Sequence, residues 1–429
     1  MASKNTSFRW PRLSLFGTWI IILALLCGFG LVAGILVFIN GLSITGLSDR
    51  VPWGVWITID ISAIGLGAGA FLLSAAVYLL GLKRYEPVAR LAVFVGLLCY
   101  TSALLTLLLD IGRPDRFWHG WVYWNTHSVM WEIIMCITLY SAVLTIEFAT
   151  IVADHPFFAR WPWVGKLAHQ AHKLMPVLAV VGACLSLLHQ SSLGATYGII
   201  KARPVWYKPT MPIMFIAQAL ATSPLLVVAL TIIVSRLRGR DLIKKELLWN
   251  VATFSGYALL VYAYIRFWDY LAMDYSYLPV RAESMRLLTE GTLAYSFWTC
   301  EVLLGILVPL VILFYHKLRH QKAALIVAGF LMAFALIVNR WNTNMVGLLV
   351  PTAYVSSVMP QASISYTPTW VEWATAGGIL GYWLIAFTLG MRFLPIFPLT
   401  EISDKLEEAE PAKVEAVASS IPAIGQAGR

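Results

Sequence analysis

The chain has 429 residues, of which 59% are hydrophobic and only 12% charged, with a formal net charge of +9. Soluble domains carry about 25% charged residues, so this composition excludes an ordinary soluble enzyme. The positive balance reflects how Lys and Arg are shared between loops and the lack of any acidic domain, and it does not point to nucleic acid.

Residues 1–14 are basic and lead into an apolar run too long for a signal-peptide core, with no small-x-small cleavage site before the next loop. This predicts an uncleaved signal anchor. Apolar runs long enough to cross about 30 Å of hydrocarbon then recur. The spacing predicts ten spans, at 15–39, 57–82, 88–110, 129–153, 171–193, 212–235, 249–271, 292–315, 323–343 and 371–394. The expected fold class is an all-α polytopic membrane protein. The glycine run Gly65 to Ala70, "GLGAGA", resembles a nucleotide loop only as a pattern. It lies mid-span with no strand before it, so close helix packing is expected. The segment 194–211 reads as a divider between an N-terminal and a C-terminal bundle. The segment 344–370 carries no Lys or Arg but many Ser, Thr, Pro and Tyr, and reads as a docking or covering surface. The tail 396–429 is Ala-, Glu-, Pro- and Ser-rich without periodicity from Thr400, the composition of a disordered cytoplasmic extension.

An even number of spans puts both termini on one side. The N-terminal face holds eighteen Lys and Arg from residues 1–395 and the opposite loops only eight. The positive-inside rule therefore makes both termini cytoplasmic and places the opposite loops outside. The five cysteines, Cys27, Cys99, Cys136, Cys184 and Cys300, all lie in spans and form no CxxC. That spacing argues against an iron–sulfur cluster, a metal site or covalent haem, and for small apolar fillers of helix interfaces.

Charged groups inside a span are costly, so each is a functional candidate. They are Asp60, Asp110, Glu132, Glu147, His189, Arg266, Asp269, Glu301 and Arg340. All except Glu147 fall in the outer half of their spans, as one polar chamber open to the outer leaflet would. Several have plainer readings. Asp110 with Arg113 fits a helix cap, and His189 a packing histidine. Arg266 and Asp269 at i,i+3 fit a local ion pair, and Arg340 fits a pair with a carboxylate of a neighbouring helix. Trp118, Trp121, Tyr123, Trp124 and Trp131 fit an interfacial aromatic belt.

A quinone head group suits such a chamber. Its carbonyls become hydroxyls, which needs Asp, Glu or His to pass protons, and its isoprenoid tail needs an apolar slot. A transmembrane cytochrome b needs paired intramembrane His. Of His119, His127, His155, His169, His172, His189, His316 and His320, only His189 is well inside a span. Electrons are then expected from a partner docked on the outer loops.

The stretches "LLLDIGRPDRFWHGWVYWN", "SVMWEIIMCITLY", "LLHQSSLGA" and "YTPTWVEWATAGGILGYWLIAF" resemble the NrfD/PsrC family of quinone-interacting membrane subunits. Within it, the chain is most similar to the ten-span branch of respiratory nickel–iron hydrogenases. The resemblance covers residues 15–395 and implies a haem-free protein of two four-helix bundles. These are spans two to five within 57–193 and spans six to nine within 212–343, with the first span (15–56) and the last (371–395) outside. It implies a menaquinone or ubiquinone near the periplasmic face of the first bundle in the bacterial inner membrane. Asp110, His119 and Glu132 are the implied proton-exchanging residues, with Asp60, Arg113 and His189 also lining the quinone. It implies a periplasmic ferredoxin-like iron–sulfur partner docked near Arg113, Arg116 and Trp118. Beyond that partner it implies a catalytic subunit of hydrogenase or molybdopterin type, or a multihaem cytochrome c. Two other readings stay open. One is a proton conduit or solute carrier continuing through Glu301, Asp269, Arg340 and Glu147. The other is a purely structural anchor.

Overall fold

The computed structural model describes residues 14–78, 80–153, 155, 157–350 and 364–397. Residues 1–13, the stretch 351–363 within the Ser/Thr-rich loop and the tail from 398, which include the expected cytoplasmic termini, lie outside the described residues. Among the described residues there is no strand, and ten helical segments are long and apolar enough to cross a membrane. The protein is an all-α integral membrane protein.

In chain order the helices are α1 (Leu15–Asn40), α2 (Val55–Gly67), α3 (Gly69–Tyr78), α4 (Glu86–Asp110), α5 (His119–Val122), α6 (Val129–Ala153) and α7 (Pro162–Gly198). They continue as α8 (Thr210–Leu237), α9 (Lys245–Asp274), α10 (Pro279–Thr289), a π-helical segment (Ser296–Leu307), α11 (Val308–Phe314), α12 (His316–Arg319), α13 (Lys322–Leu348) and α14 (Trp370–Phe393). Four boundaries differ from the sequence reading. The expected span 57–82 is broken at Ala68. The helix expected at 171–193 begins nine residues earlier, at Pro162, where a proline suits the first helical turn. It also runs on to Gly198, so the divider is 199–209 rather than 194–211. Finally, α13 continues to Leu348.

The packing follows from small residues and helix proximity. α1 is apolar all round, and Ile22, Leu25 and Leu31 on it are exposed, as a lipid-facing helix requires. It packs on α14, and a Cβ at Gly30 would collide with the Gly378 backbone, so only glycine lets these helices approach so closely. α14 packs in turn on α4. A first helix group joins α2 and α3 to α4, α4 to α6, and α6 and α3 to α7. A second joins α8 to α9 and α13, and α13 to the π segment and α11. Contacts of α7 with α8 and of α2 with α8 and α13 connect the two.

The break at Ala68 has a side-chain cause. The Gly69 N–H donates to Ser223 Oγ of α8 at 2.7 Å, and the Ser223 hydroxyl donates to the Leu66 carbonyl. One hydroxyl thus satisfies both backbone groups that the interrupted helix leaves open, which hydrocarbon demands. Gly67 meanwhile rests on Cys99 and Tyr100 of α4, so the glycine run serves close packing.

Candidate functional site

Towards the end where α4 finishes at Asp110, the first helix group carries a cluster of polar side chains. Asp60 of α2 is 2% exposed, and its Oδ1 has no hydrogen-bond partner; the same holds for Asp110 Oδ1. The two carboxyls lie within Coulomb reach of each other. His189 of α7 is fully buried, with Nδ1 3.1 Å from the Tyr100 hydroxyl of α4 and Nε2 without a partner. The Tyr100 ring lies 4.3 Å from that of Tyr140 on α6. Glu132, at the start of α6, accepts from the Ser192 hydroxyl of α7 at 2.6 Å, with Cys136 one turn further along. Tyr197 stands within electrostatic reach of both Asp60 and Asp110. An unsatisfied buried polar atom costs about 1–3 kcal/mol, so several together mark a place where water or a ligand completes the bonding.

Glu372 of α14 belongs to this neighbourhood, and the sequence reading missed it. It is fully buried, within Coulomb reach of Asp110, and accepts from Gly46 N at 2.7 Å, Thr369 N at 2.9 Å, Thr369 Oγ1 at 3.2 Å and the Tyr366 hydroxyl. The Thr369-x-x-Glu372 spacing is a capping box, a signal present in the sequence. The helix-start reading of those residues hides their second position, beside the site.

The expected loop residues stand apart from these buried groups. Arg113 and Arg116 are exposed and turned to Asp115, at 3.2 and 3.9 Å, and the Arg113 guanidinium holds the Asp115 carboxyl below its ordinary range. The His119 ring packs on Trp118 and Tyr123 of its own loop, with centroids at 4.2 and 5.1 Å. The exposed aromatics are tied locally: the Trp121 indole donates to Thr138 Oγ1 at 3.0 Å and that of Trp124 to the Trp121 carbonyl at 2.8 Å.

Glu147 lies at the opposite end of α6, 2% exposed, with neither carboxyl oxygen hydrogen-bonded. It lines a small cavity of about 20 Å³ with Ser74, Tyr78, Arg90, Thr150 and Met175. Tyr140 is within its electrostatic reach. Glu147, Tyr140, Tyr100 and His189 therefore form a row through the first group.

The second group gathers the remaining candidates into a bonded network. Glu301, on the π segment, accepts through Oε1 from Arg266 (2.8 and 3.2 Å), Tyr270 (3.0 Å) and Asn339 (2.8 Å), and through Oε2 from Asn342 (3.1 Å). Asp269 accepts from Lys208 at 2.6 Å and Thr210 at 3.0 Å and lies 3.7 Å from Arg266, so the expected i,i+3 pair is present but secondary. Burial pushes the Lys208 ammonium, in the 199–209 linker, down to about 8 despite that carboxylate. Arg340 departs from expectation. None of the described ion pairs includes it. Its guanidinium lies 3.5 Å above the Phe215 ring, Nη1 is 3.4 Å from Asn339 Oδ1, and Nε and Nη2 have no partner. The helix groups meet where the Asn344 amide donates to Thr58 at 3.0 Å and accepts from the Tyr197 hydroxyl. Among the described residues no group of three or more His, Cys, Asp or Glu side chains is arranged to hold a metal ion.

Comparison with known proteins fits this arrangement. A family model described as polysulphide reductase, NrfD, matches residues 43–352. The chain is 34% identical to the menaquinone reductase integral membrane subunit of Nitratidesulfovibrio vulgaris, over 90% of this chain and 93% of that protein. It is 28% identical to the probable Ni/Fe-hydrogenase 2 b-type cytochrome subunit of Escherichia coli, over 91% and 93% of the two chains. It is 26% identical to the Hdr-like menaquinol oxidoreductase integral membrane subunit of Archaeoglobus fulgidus, over 91% and 95%. The chain belongs to the NrfD family.

Proposed function

We propose that this NrfD-family chain is the membrane subunit of a respiratory oxidoreductase complex and handles a lipid quinone at the Asp110 end of its first helix group. The observation that carries this reading is that buried Asp60 lies within Coulomb reach of both Asp110 and Tyr100, Tyr100 bonds His189, and Asp60, Asp110 and His189 each keep an unsatisfied polar atom. Two of the relatives above bear names that include menaquinone or menaquinol.

When bound, a quinone supplies two-electron, two-proton chemistry. The residues supply the rest. The open oxygens of Asp60 and Asp110 take up or release protons, and His189, steadied at Nδ1 by Tyr100, presents Nε2 as a donor or acceptor. Glu132, steadied by Ser192, adds a further carboxyl. His119 sits in the aromatic loop above them as a second imidazole. Arg113, Arg116 and Trp118 are exposed, and we assign them to docking an iron–sulfur partner that passes electrons from a catalytic subunit.

The row from Glu147 through Tyr140 and Tyr100 to His189 is a route for protons from the opposite face. In the second group, the route expected through Glu301, Asp269 and Arg340 rests on Arg340. The other two are committed to Arg266, Lys208 and the asparagines. We assign the helix groups to two four-helix bundles and the Asp110 end to the periplasmic side of a bacterial inner membrane, following the Lys/Arg count.

The test is quinone-linked turnover of the complex in membranes. Asp110→Asn, Glu132→Gln, His119→Gln and His189→Gln variants should lose activity, by about 100-fold or more for a group that transfers a proton. Full turnover in all four would remove them from the chemistry.

A further inference from the structure

A second polar group is left open at the lipid side of α7. Gln190 is 2% exposed, and neither its Nε2 nor its Oε1 has a hydrogen-bond partner. It lines a groove of about 140 Å³ between α3, α7 and α8 whose other walls, Ser186 apart, are apolar, among them Ala75, Ala183, Leu187, Ala219 and Leu220. The groove exists because alanines face one another across it and because the chain is broken at Ala68, which also lines it. Leu187 is 48% exposed, so the groove opens sideways, at membrane depth.

The chemistry of the lining selects the occupant. An acyl chain would satisfy the alanines and leucines but would bring the Gln190 amide no hydrogen-bond partner, which is costly in hydrocarbon. Water would satisfy the amide but not the apolar walls. An isoprenoid quinone does both. Its chain fits the apolar walls; a quinone carbonyl accepts from Nε2 and a quinol hydroxyl donates to Oε1, so one amide serves either redox form. The preceding residue, His189, faces Tyr100 in the first group with its own Nε2 open. Gln190 thus stands at the wall between the groove and the polar interior.

We propose that the isoprenoid chain of a lipid quinone lies in the groove between α3, α7 and α8, and that the Gln190 amide holds the head group on its way to His189. This rests on the quinone reading above and adds where the chain enters and which side chain receives the head.

The experiment compares the intact complex with its Ala183→Phe and Gln190→Leu variants. One readout is the isoprenoid quinone that co-purifies per protein, measured by mass spectrometry. The other is the KM for a tailed quinone set against that for a tail-less naphthoquinone. Ala183→Phe, on a half-buried position that tolerates bulk, should lower the co-purified quinone several-fold and raise the KM for the tailed substrate much more than for the tail-less one. Gln190→Leu keeps the groove apolar, and should raise the KM for both while the chain is still retained. Equal effects of Ala183→Phe on both substrates, or wild-type quinone content and KM values in both variants, would overturn the proposal while leaving the quinone site standing. A wild-type complex that neither retains nor turns over any quinone would overturn the underlying reading as well.

Discussion

At the scale of single residues, the structure separates groups that are open from groups that are committed. Glu301 is committed: four side chains bond its carboxylate, and Arg266 contributes two of those contacts. Glu301→Gln leaves the buried Arg266 without its main counter-charge, and breaking such a pair costs about 3–5 kcal/mol. We expect a lower unfolding temperature in detergent for that variant, and partial recovery in Glu301→Gln/Arg266→Gln, where no charge is stranded. If both variants unfold at the wild-type temperature, the pair is not structural, and loss of activity in Glu301→Gln could be read as proton chemistry. The sequence alone marked Glu301, Arg266, Asp60 and His189 as intramembrane polar groups, because a polar side chain in an apolar run is visible without coordinates. It did not show which were bonded. Gln190 was invisible for another reason: an uncharged amide in "LLHQSSLG" stands out only when its surroundings prove empty of partners.

At the scale of elements, length and hydropathy were enough to find the membrane helices, and most ends agree within a few residues. The break at Ala68 was not legible, since glycines that pack helices and glycines that interrupt one look alike in sequence. Its determinant, Ser223, lies on another helix 154 residues away. The π segment was hidden similarly, because a run with so few polar residues does not reveal its period. Ser223→Ala tests the break. It strips the partner from the Gly69 N–H and the Leu66 carbonyl at once, and an unmet buried group costs about 1–3 kcal/mol. The variant should unfold at a lower temperature than wild type, whereas Ser223→Thr, which keeps the hydroxyl, should lose less. Equal stability of Ser223→Ala and wild type would mean that the helix re-forms through Ala68 without help.

At the scale of the whole molecule, function depends on which face the open carboxyls approach. Asp60, Asp110, Glu132 and His189 lie towards the end where α4 finishes and α6 begins, while Glu147 lies near the other. In the orientation we propose from the Lys/Arg asymmetry of eighteen to eight, the first end is external. On that proposal electrons would arrive from outside and any proton passing Glu147 would be drawn from the cytoplasm, so that quinone reduction would move charge across the membrane. Sidedness is therefore a mechanistic quantity. Trp124→Cys and Arg240→Cys place a thiol on exposed positions of opposite ends. A membrane-impermeant maleimide applied to spheroplasts should label the first and reach the second only after the membrane is opened. The reverse pattern would put Asp60 and Asp110 beside the cytoplasm. It would move the proposed docking residues Arg113, Arg116 and Trp118 to the cytoplasmic side with them, and would leave the Glu147 cavity as the outward-facing one.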